Sequence, residues 1–151
     1  MKKIITGLTL ILLVLITSAC GNKSGQLTCT MKNNIQEGIV LESKYIIDYQ
    51  NDYVTKLKTT ETIKADNKED LTTYKEALEQ AYEEYNNIEY YQNNISIENN
   101  TLISSTIINY EKVDTDKLIE IDSNNKQLIK NKKILLKDIK EMYKENGCNC
   151  K

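Results

Sequence analysis

The chain has no histidine, tryptophan, phenylalanine or proline, and every basic residue is a lysine. The missing histidine excludes the most. It removes Ser-His-Asp and Cys-His catalysis, the imidazole proton shuttle near neutral pH, and imidazole-bearing zinc sites. The missing arginine, with a net charge of −2, argues against a nucleic-acid surface, which draws on clustered Arg and Lys. There is no glycine-rich phosphate loop and no dinucleotide fingerprint. No Asp-x-Asn-x-Asn-Gly run offers calcium its roughly six to eight oxygens. Neither a cofactor nor a metal is therefore expected. With Phe and Trp absent, the ten tyrosines join isoleucine and leucine in building the core.

What is present begins with a leader. Met1-Lys2-Lys3 is a short positive start, and Ile4 to Ala19 carries no charge. This is the pattern of a secretory signal, and it falls short of the roughly 20 residues a spanning helix needs. The run ends in Ser18-Ala19-Cys20-Gly21. That ending resembles the lipobox of bacterial lipoproteins, with Thr17 where leucine is commonest. The resemblance implies that residues 1–19 are a signal peptide removed by cleavage and that Cys20 carries a diacylglyceryl lipid. It implies a protein held at the extracytoplasmic face of the cell membrane. The polar, Gly-containing segment to Gln26 reads as a spacer, so residues 20–26 are lipidated cysteine and linker.

The mature chain then suits one domain over residues 27–151. Without Lys2 and Lys3, 18 lysines face 22 acidic residues, a net charge of about −4. Three cysteines remain: Cys29 near the start, and Cys148 and Cys150 at the end. Outside the membrane, disulfides are permitted. Cys29 pairing with either Cys150 or Cys148 would close a loop of about 120 residues and tie down both termini, at roughly 4–5 kcal/mol in the chain-entropy model. A Cys148–Cys150 redox pair is the third option.

Patterning gives an outline of the domain. Leu27 to Met31 is a short strand. Gly38 to Tyr49 alternates, with Ile39, Leu41, Tyr45, Ile47 and Tyr49 on one face and Ser43 as the exception. Asn51-Asp52 turns the chain into a Thr-rich strand to Ile63, with Leu57 and Ile63 in phase. Asp66 and Glu69 form a capping box for a helix to about Tyr85, buried through Leu71, Tyr74, Leu78, Ala81, Tyr82 and Tyr85. A second hairpin runs from Ile88 to Tyr110 around Asn99-Asn100. A helical turn follows at Asp116 to Ile121. The last helix spans Asn131 to Asn146 and ends at Gly147. The expected fold is α+β, an antiparallel sheet of hairpins with two helices on one face.

This layout is similar to the YehR-like family of small bacterial lipoproteins of unknown function. The similarity lies in the lipobox, Leu27-Thr28-Cys29-Thr30, the acidic and Tyr-rich helix Thr73 to Tyr85, and the ending Tyr143-Lys144-Glu145-Asn146-Gly147-Cys148-Asn149-Cys150-Lys151. It implies an α+β fold and no activity. By position it implies that Cys29 and Cys150 pair. Cys148 then stands where the family carries an aromatic residue and is left as a free or exchanging thiol.

Candidate sites are few. Glu83-Glu84 and Asp114/Asp116 read as solvated charges more readily than as a cation site, and Glu76, Glu79 and Glu83 as a polar helix face. Tyr45, Tyr49, Tyr53, Tyr90 and Tyr91 form a candidate binding surface. The expected role is non-enzymatic, an envelope protein that binds a protein, peptide or cell-wall ligand. Two alternatives make specific demands. A carboxylate-dependent cell-wall hydrolase needs two carboxylates roughly 5–9 Å apart across a cleft. Thiol exchange at Cys148 and Cys150 needs an exposed thiolate with a lowered pKa.

Overall fold

A computed structural model of the chain describes residues 23–151. The leader and Cys20 lie outside the described residues. Eight strands and three helices follow in the order β1 (Ser24–Gln36), β2 (Ile39–Gln50), β3 (Tyr53–Ala65), α1 (Lys68–Tyr82), β4 (Tyr91–Glu98), β5 (Thr101–Asn109), α2 (Thr115–Ile121), β6 (Ile129–Lys130), β7 (Lys133–Ile134), α3 (Leu136–Glu145) and β8 (Asn149–Cys150). The fold is the expected α+β class. An antiparallel six-stranded sheet runs β4-β5-β3-β2-β1-β8, and β6 and β7 form a separate small hairpin.

The paired polar residues make the tight turns. Asn51-Asp52, Asn99-Asn100 and Asn131-Lys132 each have positive φ at both positions. That is the hairpin turn whose twist matches its strands, and asparagine and aspartate tolerate it. Strand alternation then sends one set of side chains to a covered face. Leu27, Ile47, Leu57 and Ile108 lie in register across β1, β2, β3 and β5. They are buried together under Leu118 of α2 and Ile139 and Tyr143 of α3. Toward the other end Ile39, Ile63, Ala65 and Leu102 are buried with Leu71 of α1. All three helices thus cover the same face, and the opposite face is open.

Several boundaries differ from the sequence reading. β1 starts at Ser24, so Ser24–Gln26 are strand and the spacer is correspondingly shorter. The side chain of Asn67, not Asp66, caps α1 by accepting from the Glu69 N–H at 2.9 Å. The helix ends at Tyr82, followed by a 3-10 turn over Glu84–Asn87, and Ala81 is exposed. Asn131–Leu135 is not helical; it holds the β6–β7 turn and β7, and α3 begins at Leu136. Gly147, with φ of +84°, follows α3 in the left-handed conformation. The Gly147 N–H donates to the Lys144 carbonyl and the Cys148 N–H to the Tyr143 carbonyl. These two bonds make the glycine-terminated Schellman ending.

Candidate functional site

The two apolar clusters do not merge. Between them a polar seam crosses the covered face. Ser43, Glu61 and Ser104 are register partners on β2, β3 and β5, and Tyr45, Thr59, Thr106 and Asn93 form the next row through β4. Ser43, Ser104 and Thr106 are buried. The Tyr45 hydroxyl donates to Glu61 Oε1 at 3.5 Å. Burial raises the pKa of Glu61, and the Tyr45 hydrogen bond opposes that rise. Burial also raises Tyr45, with the nearby Ser43 hydroxyl lowering it and the Glu61 charge raising it further. Tyr82 of α1 is pushed up first by burial and then by the Glu61 charge, against the approach of the Thr106 and Ser104 hydroxyls. Ser43 Oγ approaches Tyr45 yet makes no hydrogen bond of good geometry. Chemically the seam is one carboxylate, held toward its protonated form, among hydroxyls.

The hydrolase reading needs a second, facing carboxylate, and the seam residues supply Glu61 alone. Glu79 forms an ion pair with Lys75 on α1. Asp114 caps α2 and Asp116 pairs with Lys132 at 3.0 Å, so these acids are accounted for structurally. Among the described residues no cluster of three or more Cys, Asp or Glu is placed to hold a metal.

Cys29 and Cys150 form a disulfide across the β1–β8 pair, where they are direct register partners. Cys148 is free and buried. Burial raises its pKa, the opposite of the exposed, acidified thiol that exchange requires.

The five tyrosines do not form a single surface. Tyr45 stacks on Tyr143 with ring centroids 4.1 Å apart, and Tyr91 stacks on Tyr85 at 5.0 Å. Both face the core because they share the phase of Ile47 and Ile108. Tyr49 is half-buried, and its ring lies over Gly25, with Cζ 2.6 Å from where a β-carbon would stand. Tyr53 and Tyr90 are exposed, at 39% and 42%. Lys133 Nζ sits 4.8 Å from the Tyr53 ring and Lys112 Nζ 5.4 Å from the Tyr90 ring.

The sequence reading passed over Glu61. It stands in phase with Leu57 and Ile63, and a carboxylate in an apolar phase was the available signal. It also passed over the open face. There Thr30, Lys32, Glu42, Lys44, Ile46 and Lys58 help line a shallow trough of about 610 Å³.

The family model for Protein of unknown function (DUF1307) matches residues 28–149. The NMR structure of the E. coli YehR protein is similar, with a TM-score of 0.56 and 22% identity over 86% of this chain and 92% of that one. An NMR structure of a protein from Streptococcus pneumoniae TIGR4 is similar with a TM-score of 0.57 and 15% identity, covering 100% and 99%. At these identities the two structures speak to the fold. No curated protein matches.

Proposed function

This chain belongs to the DUF1307 family of proteins of unknown function, and from that premise we propose that it is a cell-envelope lipoprotein that binds a ligand without catalysing a reaction. It is anchored by lipid on Cys20 at the extracytoplasmic face of the cell membrane. The leader ending in Ser18-Ala19-Cys20-Gly21 supports the anchor. Among the described residues no helix is long and apolar enough to cross a membrane.

The open sheet face carries the binding reading. Its outward rows include Lys32, Lys44, Lys56, Lys58 and Lys64 against Glu42 and Asp48, on a chain of net negative charge. Thr60 and Thr62 lie between Lys58 and Lys64 on β3, and Ile46 gives the trough an apolar floor. Such a face suits an acidic protein, peptide or cell-wall polymer. The lone Glu61 and the buried Cys148 support binding over hydrolysis or thiol exchange.

Intact mass of membrane-extracted protein, before and after reduction and alkylation, tests the anchor. A diacylglyceryl-bearing chain beginning at Cys20 is expected, and an unlipidated chain would sink this reading. Cosedimentation with isolated cell wall bearing its anionic polymers tests the surface. Lys44→Glu with Lys58→Glu is expected to abolish cosedimentation while leaving the fold intact. Undiminished cosedimentation would rule out this face.

A further inference from the structure

We propose that the end of the sheet nearest the anchor rests directly on anionic lipid headgroups, so that the strands stand upright on the membrane. This inference rests on the lipid-anchor reading. It follows from where Lys23 and the start of β1 sit. The Lys23 carbonyl already accepts from the Asn51 N–H at 2.8 Å, which pins it to the β2–β3 turn. Only three Cα–Cα steps separate Cys20 from Lys23, and they reach no farther than about 11 Å. A headgroup layer is itself roughly 5–8 Å deep. A tether this short holds the turn against the bilayer surface.

The side chains at that end suit the contact. β1, β3 and the Tyr90–Tyr91 start of β4 come together there with the end of β5. The Tyr110 N–H donates to the Thr55 carbonyl and the Asn109 N–H to the Tyr90 carbonyl. Three large hydrophobic side chains are exposed among the described residues, and two of them, Tyr53 and Tyr90, lie on this rim. Each has a lysine ammonium near its ring, Lys133 and Lys112 respectively. A tyrosine ring with a cation beside it places an apolar body and a positive head at the same depth, as an anionic interface demands. Lys23 and Lys132 are further exposed cations at this end, Lys132 pairing with Asp116 at 3.0 Å, and Asp52, Glu89 and Glu111 are exposed acids there, Glu89 beside the Tyr90 hydroxyl. Ile35, the remaining exposed apolar side chain, sits at the far end of β1.

Lysine footprinting by mass spectrometry tests the orientation on the full lipidated protein. Acylation rates would be compared in detergent micelles, in phosphatidylcholine vesicles, and in vesicles containing phosphatidylglycerol. In the phosphatidylglycerol vesicles Lys23, Lys112 and Lys133 are expected to react about threefold or more slowly than in micelles, because charged headgroups hold them at the surface. Lys64 and Lys68, at the far end, are expected to keep their micelle rates. If the lipid mass is present on Cys20 and the rim lysines react at micelle rates, the orientation is wrong and the anchor stands. Equal protection in pure phosphatidylcholine overturns the anionic partner. A chain without lipid on Cys20 overturns the anchor and this inference with it.

Discussion

Glu61 sits where strand alternation places a carboxylate among buried hydroxyls. Burial raises its pKa, so the folded chain holds this proton more tightly than the unfolded chain does. Stability is therefore greatest where Glu61 is protonated, and it falls as pH rises from the ordinary glutamate range through the raised folded value. Glu61→Gln keeps an acceptor for the Tyr45 hydroxyl and removes the buried charge. Thermal melts are expected to show the variant roughly 2–4 °C more stable at neutral pH. The gain should vanish below about pH 3, where both states of the wild type are protonated. A variant equally stabilised at both pH values would mean that charge is not the cause. The sequence held the clue in the odd-numbered phase of β3. Ser43 on β2 read as an interruption of an apolar row, whereas it is the first member of a polar row continued by Glu61 and Ser104. Periodicity within one strand cannot show a row that exists only across strands.

Elements were legible where a long period or a turn dipeptide marked them. The Asn-rich turns set β2–β3 and β4–β5, and the apolar stripe of α1 was readable from Leu71, Tyr74 and Leu78. The cap falls at Asn67, one residue after Asp66, because both are good caps and only backbone geometry decides between them. Asn67→Ala is expected to cost about 1 kcal/mol in urea unfolding, and Asp66→Ala a few tenths at most. The reverse order would return the cap to Asp66. The β6–β7 hairpin was hidden because its strands are two residues each, too short to show alternation. Ile134-Leu135-Leu136 runs from β7 straight into α3, so its apolar pattern extends the helical one backwards. β8 has no periodic signal at all; its position is marked by the partner of its cysteine. The Cys29–Cys150 pair, 121 residues apart, holds β8 to β1. Its loss on reduction, or in Cys29→Ser, is expected to lower unfolding free energy by about 3–5 kcal/mol. An unchanged denaturation midpoint would mean that the sheet edge holds without it. Cys148, buried beneath the end of α3, should stay unalkylated until that unfolding.

At the scale of the whole molecule, both termini of the domain meet on β1, with the tether entering at its start and β8 clamped beside Cys29. The class of fold was readable because hairpins joined by helices leave few other ways to bury one sheet face. An uncovered second face goes with that arrangement, but the length of the tether was not readable, because it depends on where β1 begins. If the three residues between Cys20 and Ser24 enforce contact between rim and membrane, lengthening them should release it. Inserting a Gly/Ser segment of roughly 12 residues after Gly21 raises linker length about fivefold. It should lower the effective concentration of the rim at the bilayer by about tenfold, following the −3/2 power of linker length. Rim lysine labelling in phosphatidylglycerol vesicles is then expected to rise toward the micelle rate, with lipidation and melting temperature unchanged. If protection persists with the long tether, the rim binds lipid through its own tyrosines and lysines, and the short linker serves only to keep the chain from diffusing away.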